Sequence, residues 1–156
     1  MPDPNPSAVT GDDLRATRRA RWRQVLPVLG AISVGGVLGS LSRYGVSVAM
    51  PHEPRDFAWA TFGVNVIGCL LMGVLMALLE YARPGHPLLR PFLGIGVLGG
   101  FTTFSTYVVD TLRTSAEAPG TGLAYLLGTP LAALVAVWIG ATLTRTTILR
   151  RRREPT

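Results

Sequence analysis

Nine consecutive residues, Gly99-Gly100-Phe101-Thr102-Thr103-Phe104-Ser105-Thr106-Tyr107, gather glycines, hydroxyls and aromatic rings inside an otherwise apolar run, residues 88–109. Two adjacent glycines followed by four hydroxyl residues within five positions are poor helix formers, yet the flanks are long enough for a membrane-spanning helix. The expectation is a helix broken at mid-membrane. A break frees backbone carbonyls that hydrocarbon cannot satisfy, so it survives only where it packs in protein or lines a polar cavity. Such a break is the usual pointer to an ion or substrate site. The alternative is a kinked structural helix whose Thr and Ser hydroxyls bond back to their own carbonyls.

Two more polar residues interrupt apolar surroundings. Asn65 lies deep in Gly63-Val64-Asn65-Val66-Ile67-Gly68-Cys69, where an unpaired amide is costly, so it is either helix–helix glue or a donor to a pore. Arg43, toward the far end of the first apolar run, either snorkels to the interface or faces inward as a buried cation. The single Cys69 excludes an intrachain disulfide and a Cys-based metal site. The two histidines, His52 and His86, sit in short loops without spaced Cys or carboxylate partners, and Ser105 has no nearby base, which argues against an enzyme.

The elements that must hold these residues are membrane spans. Residues with apolar side chains make up 48% of the 156-residue chain and charged ones only 15%, low for a soluble domain. Four spans are expected, over residues 25–50, 57–79, 88–110 and 122–143, with Pro130 kinking the fourth. The first could be mistaken for a signal peptide, but its apolar run continues well beyond a secretory core with no clear small-residue cleavage site. Short turns at residues 51–56 and 81–87 and a loop holding Arg113, Glu117, Pro119 and Gly120 join them. Gly35 and Gly39, four apart, let another backbone approach closely. Residues 1–24 read as a disordered basic tail, 25–144 as the membrane domain and 145–156 as a second basic tail.

All 15 basic residues are Arg, and the pI is about 10.7. Their place beside the spans points to membrane orientation rather than nucleic acid. Arg15, Arg18, Arg19, Arg21 and Arg23 precede the first span, Arg83 and Arg90 follow the second, and Arg145 and four arginines at 150–153 follow the fourth. Only Arg55 and Arg113 fall on the other side, twelve against two with Arg43 left out, so both termini are expected in the cytoplasm.

The third-span motif, with Gly35-Gly36-Val37-Leu38-Gly39-Ser40-Leu41-Ser42-Arg43-Tyr44 and Thr61-Phe62-Gly63-Val64-Asn65-Val66-Ile67-Gly68, resembles the Fluc (CrcB) family of fluoride channels over residues 27–144. The resemblance implies an all-α, four-helix subunit in an antiparallel dimer, with two fluoride pathways and a structural sodium ion at the dimer centre. It implies that Gly99 and Thr102 offer backbone carbonyls to that sodium. Phe104 becomes the first ring of an aromatic box whose positive edges face fluoride, and Tyr107 stands where the family has a second phenylalanine. The added hydroxyl would donate to the anion or plug the path. Asn65 is implied as an N–H donor, Ser105 and Thr106 as hydroxyl or packing contacts, Thr129 as a pore hydroxyl, and Arg43 as a vestibule cation. Ala133 stands where another polar group is expected.

The arginine bias should fix one orientation, so a second, oppositely oriented homologue is an expected partner. The competing reading is a small four-helix multidrug or cation exporter. Proton coupling generally needs a titratable group in the membrane, and three spans hold no Asp or Glu while Asp110 stands at the end of the other. A non-transporting assembly subunit would explain the glycines but not the hydroxyls, Asn65 and Phe104 together.

Overall fold

The structure, a computed structural model, describes residues 11–81 and 87–151. It consists of α1 (Gly11–Ala49), α2 (Trp59–Tyr81), a π-helix (Arg90–Leu98), a single turn α3 (Gly99–Phe101), α4 (Ser105–Glu117) and α5 (Pro119–Arg151). Four stretches are long and apolar enough to cross a bilayer: 21–49, 59–81, 90–117 and 119–150. The third is assembled from three helical pieces, with the expected break falling between Phe101 and Ser105, among the hydroxyls, and a π-helix before it that the sequence did not announce.

Three boundaries correct the sequence expectations. Helix α1 begins at Gly11, so residues 11–24 of the expected disordered tail are helical. That stretch has no proline and is rich in Ala and Arg, which favour a helix. Helix α5 likewise runs on through Arg145 to Arg151. The expected loop around Arg113 and Glu117 is also absent, because α4 continues to Glu117 and α5 opens at Pro119. Nothing between Thr111 and Glu117 breaks a helix, and proline suits a first helical turn. The remaining tail residues, 1–10 and 152–156, and residues 82–86 of the turn lie outside the described residues.

Helix α4 packs on α5, but the two most extensive seams of the bundle are α2 on α5, and α1 on the π-helix and α3. Each is backed by glycine. A Cβ on Gly73 would collide with the Val137 carbonyl, and one on Gly140 with the Leu70 carbonyl. In the other seam Gly35 faces Gly96 and Gly36 faces Gly100, while Gly39 packs on the backbone of Val97 and Phe101. A Cβ on Gly96 would stand 2.9 Å from the Gly35 Cα, and one on Gly39 would strike the Val97 carbonyl. The backbones touch, as the spacing of Gly35 and Gly39 predicts. Outward positions of α1 and α5, among them Val37, Leu41, Leu134 and Trp138, remain exposed to the surroundings a bilayer would supply.

Candidate functional site

The site is built on the break. After Phe101 the chain leaves helical geometry at Thr102, with φ −74° and ψ 157°, and re-enters it at Phe104. The freed groups are taken up from other helices. Asn65 on α2 brackets Thr103: its Nδ2 donates to the Thr103 carbonyl at 3.0 Å, and its Oδ1 accepts from the Thr103 N–H at 2.8 Å. The carboxamide thus replaces the backbone partners that the break removed. A second Nδ2 hydrogen is left over.

Arg43 points inward rather than snorkelling. Its Nε donates to the Gly100 carbonyl at 3.2 Å, and Ser40 Oγ approaches the same oxygen at 3.4 Å. Thr102 Oγ1 donates back to the Leu98 carbonyl. Thr103 Oγ1 accepts from the Thr106 N–H at 3.2 Å, capping α4. Among the described residues no hydrogen bond reaches the carbonyls of Gly99 and Thr102.

Two cavities flank the clamp, and Thr103 lines both. The larger, about 270 Å³, is bounded by Asn65, Cys69, Thr102, Phe104, Tyr107, Thr129, Pro130 and Ala133. The smaller, about 100 Å³, is bounded by Arg43, Ser47, Thr61 and Thr106. Most of the residues singled out in the sequence therefore gather around two adjoining spaces. Ser105 lies in neither and stays exposed, 3.4 Å from the Thr103 hydroxyl. Gly99 also lines neither and is exposed on the outer side of the break.

The Phe104 and Tyr107 rings are 5.8 Å apart at 46°. Phe104 is 77% exposed, whereas Tyr107 is buried against Tyr125 at 5.4 Å. The Tyr107 hydroxyl is already engaged, donating to the Leu126 carbonyl at 2.6 Å.

A buried polar row continues from the site; Thr129 in it is among the expected residues, whereas Asp110, Thr61 and Tyr125 escaped the sequence reading. Asp110, expected at a span end, is buried within α4; its Oδ2 accepts from Thr61 Oγ1 at 2.6 Å and its Oδ1 lies 3.9 Å from His52 Nε2. The third span thus contains a carboxylate after all, because α4 extends past it to Glu117. Tyr125 and Thr129 continue the row on α5, both buried and both with hydroxyl oxygens that find no hydrogen-bond partner among the described residues. Helical spacing held the signal: Thr61 and Asn65 are four apart, Tyr107 and Asp110 three, and Tyr125 and Thr129 four.

Comparison with known proteins gives a family model described as CrcB-like protein, Camphor Resistance (CrcB), matching residues 30–141. The chain is 50% identical over 127 residues to Fluoride-specific ion channel FluC 1 of Streptomyces coelicolor, covering 81% of this chain and 82% of that protein. It is 45% identical over 156 residues to FluC 2 of Streptomyces avermitilis, covering 98% and 99%. It is 53% identical over 115 residues to FluC 2 of Nocardia farcinica, covering 72% and 81%.

Proposed function

The chain belongs to the CrcB family, and we propose that it is a subunit of a fluoride-specific ion channel that lowers cytoplasmic fluoride by passive export. It is a multi-pass membrane protein and not an enzyme. The observation that carries the reading is the Asn65 clamp, which leaves one amide hydrogen beside a cavity edged by two aromatic rings. Fluoride is small and strongly hydrated. A channel must replace its water with N–H, O–H and positive ring-edge contacts without binding it too tightly. Asn65 and the edges of Phe104 and Tyr107 supply such contacts, and the unpaired Thr129 hydroxyl stands covered in the wall of the same cavity.

Arg43 and Thr106 line the smaller cavity, and the guanidinium's field raises the local concentration of anions. Ser105, exposed beside the break, contributes a packing contact to the Thr103 hydroxyl. The conducting unit is residues 25–144, which contains the matched segment 30–141.

Gly99 and Thr102 are the proposed ligands of a structural sodium ion. Two carbonyls lacking hydrogen-bond donors fit a hard cation that prefers oxygen. Bound there, sodium supplies positive charge to the broken backbone of an antiparallel dimer. The exposed Gly99 and Phe104 support a partner subunit on this face. The arginine distribution supports cytoplasmic termini and one fixed orientation, so the partner is an oppositely oriented homologue. Tyr107 and Ala133 then belong to a specialised half.

The test is release of fluoride from liposomes loaded with potassium fluoride, with valinomycin to balance charge and a chloride control. Fluoride-selective release from the assembled channel is expected. Release by this chain alone would overturn the obligatory partner, and no release with or without a co-expressed homologue would overturn the channel reading.

A further inference from the structure

Two irregularities meet at Tyr107. Pro130 lies inside α5 and has no amide hydrogen, so the carbonyl four residues earlier, that of Leu126, loses its helical donor. The Tyr107 hydroxyl, reaching across from α4, donates to that same carbonyl at 2.6 Å. Tyr107 and Pro130 also line the same cavity, beside Asn65 and Thr129.

We propose that Tyr107 and Pro130 act as a pair, in which the tyrosine hydroxyl masks the carbonyl that the proline frees and so fixes the ring beside the anion path. The role at the path rests on the fluoride pathway proposed above. A bare carbonyl oxygen is the negative end of a dipole, the group with which channels hold cations. Beside an anion path it repels the ion, and as a buried acceptor without a donor it costs stability. The phenol has a single hydrogen, and the Leu126 carbonyl takes it. Tyr107 therefore meets fluoride as an aromatic edge and not as an O–H donor. It follows that phenylalanine suffices at position 107 only when residue 130 carries an amide hydrogen.

The experiment compares the unmodified protein with Tyr107→Phe, Pro130→Ala and the double variant, by thermal melting in detergent and by fluoride efflux from the conducting assembly. Tyr107→Phe alone should lower the melting midpoint by about 2–4 °C and slow efflux roughly tenfold. With Ala at 130 supplying the missing N–H, the same change should move the midpoint by less than about 1 °C and efflux by less than about twofold. If Pro130→Ala does not fold, Pro130→Leu provides the same hydrogen. Equal losses from Tyr107→Phe in both backgrounds would overturn the pairing. A coupled melting shift without a coupled loss of efflux would overturn the role at the path. Melting reads the pair even when the unmodified protein releases no fluoride with or without a co-expressed homologue, a result that counts against the channel reading alone.

Discussion

The third span and α5 both interrupt their helical hydrogen bonding, with different outcomes. In α5 one donor is missing, at Pro130, one side chain repairs it, and the helix stays continuous from Pro119 to Arg151. In the third span several groups are freed between Gly99 and Thr103, and the repair draws on two other helices through Ser40, Arg43 and Asn65. Even then it is incomplete. Among the described residues the Gly99 and Thr102 carbonyls and one Asn65 hydrogen find no partner. A fully repaired interruption shapes a helix, whereas a partly repaired one leaves groups available to ions.

Removing the repair should have the largest effect. Asn65→Leu leaves both polar groups of Thr103 without partners, at a cost of about 2–6 kcal/mol. The expected outcome is loss of the monodisperse peak in size-exclusion chromatography; a fold of unchanged stability would mean that the clamp is dispensable. Next in size are the glycine seams. Gly39→Val drives a side chain into the Val97 carbonyl and should cost about 1–3 kcal/mol, read as a lower melting midpoint. Gly63→Ala, with nothing within 4 Å of the added carbon, should leave the midpoint unchanged or raise it.

Arg43→Met removes a charged donor from the Gly100 carbonyl, worth about 1.5–3 kcal/mol, while Ser40 keeps its contact. It should also flatten the dependence of fluoride efflux on salt, measured between low and high ionic strength. The smallest effect on stability belongs to Thr129→Val. Its buried hydroxyl has no partner to lose, so stability should change by less than about 0.5 kcal/mol or rise. Efflux should nonetheless fall several-fold, about 1 kcal/mol at the barrier. A large loss of stability from Thr129→Val would show that the hydroxyl is structural.

The break and its clamp were legible in the sequence because both are local anomalies: glycines and hydroxyls where helix formers belong, and an amide among apolar residues. The burial of Asp110 in the polar row was not. Charged Arg113 and Glu117 read as a loop, which put Asp110 at a membrane edge, and only packing brings it against Thr61, 49 residues earlier. Arg43 showed a similar limit. Its sequence position allowed either snorkelling or burial, and the choice depended on the Gly100 carbonyl being freed next to α1. The start of α1 at Gly11 was missed because the residues before residue 25 lack apolar periodicity, although their helix propensity is high. The partner of the Tyr107 hydroxyl required knowing that α4 and α5 lie side by side.

The central claim is that groups left over at the break carry the ion, and Asn65→Asp tests it most directly. The aspartate keeps an acceptor for the Thr103 N–H but removes the amide donor and sets a negative charge beside the cavity. Fluoride efflux from liposomes, with chloride as control, should fall at least about a hundredfold while the protein remains folded by size-exclusion chromatography, the roughly 3 kcal/mol of a lost hydrogen bond to a charged ion. Folded Asn65→Asp protein that releases fluoride at the unmodified rate would contradict the account.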